Sequence, residues 1–190
     1  MQHAIVSRIS EAEYLAGEKI ARVKHEYVAG EVFAMAGASK AHVTIVLNVG
    51  AALHAALRGK PCRAYISDMK LRVKAAAAYY YPDVVATCAP RDLAADAPAY
   101  YLESPCLIVE VLSESTERVD RSEKLRAYQQ IDSLVEYLLI NQEKREVEIH
   151  RRTPQGWVRD ILEPGDACTL ASVGLELALD QIYEDSGVLS

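Results

Sequence analysis

One carboxylate interrupts the most apolar run of the chain. Cys106-Leu107-Ile108-Val109-Glu110-Val111-Leu112 reads as a strand, and Glu110 is its sole charge. An ionised carboxylate among Val, Ile and Leu costs several kcal/mol unless a cation, a metal or strong donors meet it. A second case precedes it at Tyr81-Pro82-Asp83-Val84-Val85. Two such residues on two apolar strands suggest a site.

Side chains on a strand alternate faces, so Ile108, Glu110 and Leu112 look one way while Val109 and Val111 look the other. Asp83 shares a face with Val85 by the same rule. If the two strands are neighbours, about 4.8 Å apart, the two carboxylates come within reach of a single divalent ion.

The chain has 190 residues, 51% of them hydrophobic and 25% charged, which suits one ordinary soluble domain with a real core. A formal net charge of −6 argues against a generally basic surface built for non-specific nucleic-acid binding, although acids clustered at a metal site lower the total too. Cysteines 62, 88, 106 and 168 form no CxxC pair and have no nearby His at ligand spacing, so buried free thiols are expected rather than a zinc site or a disulfide framework. The first residues lack the apolar core of a secretion signal, and no uninterrupted apolar stretch is long enough to span a bilayer. A reducing cytoplasm and no membrane partner are the expectation.

Along the chain, Ser10 to Gly17 predicts a short capped helix, and Lys24 to Met35 a hairpin turning at Ala29-Gly30. The apolar spacing from His42 to Leu57 predicts an amphipathic helix, capped by Ser39 and ending near Arg58-Gly59. Strands are expected at 63–73, 82–88, 106–112 and 135–140, with a helix over about 119–130 before the last. Two more strand-like segments, 146–151 and 157–162, join through Thr153-Pro154-Gln155-Gly156. The expectation is an α/β (α+β) mixed sheet in one domain over 1–190. Its core, about 39–140, runs helix-strand-strand-strand-helix-strand, with an N-terminal hairpin at 24–35 and a C-terminal β extension at 145–183. Segments 75–78 and 92–98 read as flexible loops.

A third chemical element follows Glu110 in the helix that contains Asp120, Arg121, Lys124, Leu125 and Tyr128. Helical side chains lean toward the N-terminus, so Lys124, about one turn in, points its ammonium toward the end of the Glu110 strand. Leu125 and Tyr128 could anchor the helix to the sheet, while Arg118, Arg121 and Arg126 add positive charge. An Asp, a Glu and a Lys at one sheet end suit metal-assisted phosphodiester hydrolysis. Carboxylates hold Mg²⁺, the ion lowers the pKa of a bound water, and the Lys positions that water or offsets charge on the phosphorane-like transition state.

Pro82-Asp83, then Glu110, then a lysine, in this order of helix and strands, resembles the PD-(D/E)XK nuclease superfamily. The chain resembles more closely the Uma-two family of bacterial restriction-type endonucleases. The shared features are Glu26-Tyr27-Val28-Ala29-Gly30-Glu31, Ser39 with His42, Tyr81-Pro82-Asp83-Val84, Glu110-Val111-Leu112-Ser113-Glu114-Ser115-Thr116, and Asp120 with Lys124 and Tyr128. They span roughly residues 26–140. The resemblance implies a restriction-endonuclease-like fold, Asp83 and Glu110 as ligands of Mg²⁺ or Mn²⁺, and DNA as substrate. Where the parent motif has a lysine two residues after its Glu, this chain has Leu112, and Lys124 on the following helix is expected to restore that charge.

Asp83, Glu110 and Lys124 are thus the catalytic candidates, with Glu26, His42 and Asp120 as secondary ones. The plainer alternatives are a turn residue for Asp83, a structural ion pair for Glu110 and a solvated helix charge for Lys124. The grouped tyrosines, Tyr79-Tyr80-Tyr81 and Tyr100-Tyr101, could stack bases, though filling a core explains them more cheaply. Two classes stay open: a metal-dependent endonuclease, and a catalytically inactive nuclease-like module for binding or scaffolding, compatible with a homodimer. A hydrolase of phosphorylated or carboxylated metabolites using the same ion is a third, weaker class.

Overall fold

A computed structural model describes residues 8–189. Helix α1 (Glu11–Glu18) opens on a capping box in which Ser10 and Glu13 satisfy each other's backbone N–H groups. Strands β1 (His25–Val28) and β2 (Glu31–Ala34) form the expected hairpin. Its turn places Ala29 at φ 47° and Gly30 at φ 98°, the left-handed pair that a tight hairpin requires.

Helix α2 (Lys40–Leu57) starts at Ser39, whose hydroxyl accepts from the His42 N–H. Ile45, Val46, Val49, Leu53 and Leu57 are its buried stripe. With a mean hydropathy of 1.3 over 18 residues, α2 meets the length and apolarity of a membrane span, although Lys40, His42, Asn48 and His54 interrupt its apolar residues. The buried stripe packs on the sheet as a core helix would.

The single strand expected over 63–73 is two: β3 (Arg63–Ile66) and β4 (Lys70–Val73), which belong to different sheets. The chain breaks at Ser67, held at φ 51° with its N–H on the Asp83 carbonyl at 3.0 Å. Strand-forming residues cannot by themselves reveal which partner each half will find. Nor is 75–78 a free loop. A one-turn 3₁₀ segment at 74–76 leads into β5 (Ala78–Tyr80), which is buried throughout.

Strand β6 (Val84–Thr87) and the short α3 (Pro90–Leu93) precede β7 (Tyr101–Leu102) and β8 (Pro105–Leu112). Three joined helical pieces follow: α4 (Glu117–Val119), a π-helical turn at Asp120–Lys124, and α5 (Leu125–Tyr128). They form the crossover to β9 (Glu136–Asn141), which pairs parallel to β8. Strands β10 (Val147–Thr153) and β11 (Gly156–Leu162) extend that sheet as a hairpin. The hairpin β12 (Ala167–Leu170) and β13 (Leu175–Ala178) and helix α6 (Leu179–Ile182) complete the described chain. Buried Glu136 accepts from the Ala171 and Ser172 N–H groups at 3.1 and 3.0 Å, anchoring this end to β9.

The main sheet has the order β11-β10-β9-β8-β6-β3, and a second sheet the order β2-β1-β5-β4-β7. The central strands of the main sheet, β6, β8 and β9, are buried on both faces. Val84, Val109 and Val111 face α2 in one core, while Val85, Ile108 and Leu112 join Tyr80, Tyr128 and Tyr137 in the other. The alternation read from the sequence therefore holds, and the architecture is the mixed α/β one expected, with β5 and β7 as additional strands.

The cysteines depart from expectation. Cys62 and Cys88 form a disulfide, while Cys106 and Cys168 are free. The β3–β6 register opposes Arg63 to Thr87, which sets Cys62 across from Cys88 with Cα atoms 4.1 Å apart. Their spacing of 26 residues carries no signature; only strand pairing brings them together.

Candidate active site

Two neighbouring strand ends and one helical turn build the site. In the antiparallel β6–β8 ladder Val84 opposes Val109, so Asp83, one residue before β6 begins, stands opposite Glu110. The two carboxylates read from the sequence thus lie side by side at the same sheet end. The π turn then lays Asp120 and Lys124 over Glu110, and the β1 strand brings in Glu26. A π turn is rare and is found disproportionately at functional sites.

Lys124 is the centre of the cluster. Its ammonium lies 3.1 Å from Glu26 Oε1, 3.3 Å from Glu110 Oε1 and 3.1 Å from Asp120 Oδ1. Side-chain exposure is 6% at Lys124, 4% at Glu110 and 2% at Asp120, but 21% at Asp83, so solvent reaches the cluster from the Asp83 side. The solvated helix charge is thereby excluded for Lys124. The Tyr128 hydroxyl donates to Glu110 Oε1 at 2.8 Å. Asp83 accepts from the Val111 N–H at 2.7 Å through one oxygen and lies 2.9 Å from His42 Nε2 through the other. Glu26 accepts from the Tyr81 N–H at 3.3 Å.

Charge does not balance here. Glu26, Asp83, Glu110 and Asp120 face the single ammonium of Lys124, with His42 beside Asp83 alone. Burial drives the Glu110 carboxyl well above the usual range, and Asp120, Asp83 and Glu26 push it further against the pull of Lys124. Burial opposes the Lys124 charge, but Glu110, Glu26 and Asp120 outweigh it and hold the ammonium well above the usual lysine range. Burial next to Glu110 also raises the Tyr128 phenol, which keeps it a donor.

Two oxygens remain open. Asp120 Oδ1 sits within ion-pair distance of Lys124, but its angle is not that of a hydrogen bond, and it is a buried atom with no hydrogen-bond partner. Glu110 Oε2 receives no protein donor among the described residues, since both of its contacts fall on Oε1. Among the described residues no three His, Cys, Asp or Glu side chains converge as a ready metal-binding group. Mg²⁺ asks for less, because it keeps several waters and commonly takes only one or two carboxylates. The hard oxygens of Asp83 and Glu110, opening on a cleft, fit that requirement.

The cleft itself has a volume of about 900 Å³, with Asp83, Glu110 and Lys124 at its base. His42 and Ser39 from the start of α2 form one wall, and the loop after β8, with Ser113 Oγ 3.0 Å from Thr116 Oγ1, forms another.

Every sequence candidate is therefore in or beside one cluster: Asp83, Glu110 and Lys124, with Glu26, His42 and Asp120 around them. Arg121 is not part of it. Its guanidinium pairs with Glu117 at 2.8 Å and with Glu148 on β10, bracing the π turn from behind. Sequence reasoning gave Tyr128 a packing role and a place beside Asp120 and Lys124 among the shared family features, and missed its bond to Glu110. Its signal is a phenol four residues after Lys124, one turn along the same helix face. The Val111 N–H on Asp83 has no sequence signal at all. Tyr79, Tyr80 and Tyr81 are buried and fill the core, so none of these three rings is free to stack a base, whereas Tyr100 is exposed.

The fold is that of a nuclease-like mixed α/β protein. The architecture matches a "putative nuclease belonging to DUF820" from Anabaena variabilis with a TM-score of 0.75, covering 92% of this chain and 97% of that one at 17% identity. Residues 12–180 match Uma2, described as "Putative restriction endonuclease", and the chain belongs to that family. Two uncharacterized Synechocystis proteins are similar. One, slr1290, is 37% identical over 177 residues, covering 93% of this chain and 92% of that protein. The other, sll1609, is 34% identical over 144 residues, covering 76% and 81%.

Proposed function

We propose that this protein is an endonuclease that hydrolyses phosphodiester bonds of DNA with a divalent ion, Mg²⁺ or Mn²⁺, held by Asp83 and Glu110. The observation that carries this reading is the excess of carboxylate over ammonium at the base of an open cleft. A divalent ion bound there would acidify a water and stabilise charge on the transferring phosphoryl group.

The chain's own residues supply the rest. Lys124, fixed by Glu26 and Asp120, holds a positive charge beside Glu110 without having to move, which suits charge that builds only in the transition state. Tyr128 fixes one Glu110 oxygen and leaves the other without a protein donor among the described residues. Val111 N–H and His42 together orient Asp83. His42, at the cleft wall, can carry a proton to or from that carboxylate.

The test is cleavage of supercoiled plasmid with Mg²⁺ or Mn²⁺ by the wild type and by Asp83→Asn. The variant should lose on the order of 100-fold in rate and, by calorimetry, its divalent-ion binding. Equal cutting by the two proteins overturns the site. DNA binding without cutting under either ion establishes a binding module instead.

A further inference from the structure

Tyr81 joins the cleft to a second cavity. The residue borders the cleft, while its hydroxyl accepts from Lys70 Nζ at 3.2 Å and donates to Glu18 Oε1 at 3.0 Å. Lys70 and Glu18 line a cavity of about 470 Å³ with Leu15, Lys19, Pro98 and Tyr100. That volume lies within the usual range of small-ligand pockets, about 300–1,000 Å³.

Lys70 is the anomaly. It is 8% exposed, and Tyr81 is its one hydrogen-bond acceptor among the described residues, so a buried ammonium has no carboxylate in contact with it. Burial pulls it below the usual lysine range, opposed mainly by Glu18. The Glu18 carboxylate is engaged elsewhere, by the His25 N–H at 2.9 Å, by His25 Nδ1 at 3.2 Å and by Tyr81. A buried, unpaired ammonium is costly unless an anion joins it.

The surroundings say what kind of anion. Lys70 and Lys19 both approach the Tyr100 ring, with Nζ 6.0 and 5.8 Å from its centroid, so two cations meet at one aromatic side chain. Tyr100 is 62% exposed, an unusual state for a large ring, and Leu15 and Pro98 add apolar wall. Two ammonium groups suit a phosphate, and an open tyrosine ring beside apolar walls suits a flat base.

We propose that this cavity binds a nucleotide carrying a terminal phosphate, its phosphate between Lys70 and Lys19 and its base against Tyr100. The choice of a base as the planar group rests on the nuclease reading. The same chemistry is offered by a free mononucleotide and by the phosphorylated end of a strand.

The experiment is a calorimetric titration of the full chain in EDTA, so that it does not depend on cleavage. Deoxyadenosine 5′-monophosphate should bind with a Kd of about 1 mM or tighter, and deoxyadenosine and inorganic phosphate each at least about tenfold more weakly. Lys70→Met and Tyr100→Ala should each weaken binding by about tenfold or more, with thermal midpoints measured alongside. Tyr100→Ala alters an exposed side chain and so keeps the test valid should Lys70→Met fail to fold. Oligonucleotides with and without a 5′-phosphate separate the sources: preference for the phosphorylated strand assigns the strand end, and binding of the monomer alone assigns the free nucleotide. No binding of either up to about 5 mM, or equal binding by wild type and Tyr100→Ala, overturns the proposal. Plasmid cutting without nucleotide binding rejects this cavity alone; nucleotide binding without cutting rejects the nuclease reading alone.

Discussion

Replacing Lys124 by Met removes the one ammonium from between Glu26, Glu110 and Asp120 while keeping most of the apolar stem. The three carboxylates do not enter the balance equally: Glu110 and Asp120 are almost fully buried, so their charges have less water to turn to than that of Glu26. Removing one partner from a buried ion pair costs about 3–5 kcal/mol. For a chain of this length, that lowers the thermal midpoint by about 6–20 °C. In urea, with a slope near 2.5 kcal/mol/M, the midpoint falls by about 1–2 M.

The pH dependence carries the more specific test. Glu110 is already raised by burial, and without Lys124 it rises further. A raised carboxyl favours the folded state below its unfolded pKa, and that advantage is lost as pH climbs through the folded value. The Lys124 ammonium, also raised, stabilises the wild type at every pH below the usual lysine range. The gap between wild type and Lys124→Met should therefore be widest at neutral pH and narrow toward pH of about 5, where the carboxyls take up protons. Adding Glu110→Gln to the variant should recover part of the loss, because the two residues are in contact. Urea titrations at several pH values, read by circular dichroism, measure all of this. A Lys124→Met protein as stable as wild type at neutral pH, with no pH dependence of the difference, refutes the reasoning.

Tyr128→Phe removes the donor to buried Glu110 and should cost about 1.5–3 kcal/mol by urea titration, as for hydrogen bonds to charged groups. An unchanged midpoint would mean that another donor takes over that oxygen. Because the metal-free Glu110 carboxyl is raised above the usual carboxylate range, cleavage at limiting Mg²⁺ should fall on acidification through a window above that range, as protons compete with the ion for the carboxylate. A rate that stays flat well below neutral pH would exclude Glu110 as an ionised participant. Reducing the Cys62–Cys88 disulfide, which spans 26 residues of sequence, should destabilise the protein by about 3–4 kcal/mol on the chain-entropy estimate. A scan with and without reductant, using Cys62→Ser/Cys88→Ser as the reference, checks this, and coincident midpoints count against the bond.

Local signals were legible where a short stretch carries its own physics. Ser10 and Ser39 cap the helices they were expected to cap, since a side-chain oxygen within three residues of an exposed N–H needs no distant partner. Ala29-Gly30 turns the first hairpin for the same local reason. The isolated carboxylates of Asp83 and Glu110 were legible because burial of a charge is written in the apolar residues on either side of it.

Tertiary structure alone decided the partners. Nothing within 63–73 says that its two halves join different sheets, because strand-forming residues fit either ladder. Glu26, 84 residues ahead of Glu110, reaches Lys124 only through the second sheet, and Cys62 meets Cys88 only through the β3–β6 register. The π turn that sets Asp120 and Lys124 over Glu110 has no residue signature, since it arises from how the helix must sit on the sheet. Sequence alone thus determined which charges need compensation, because desolvation is a property of immediate neighbours. Which groups compensate them was settled by folding, because an ion pair acts across space rather than along the chain.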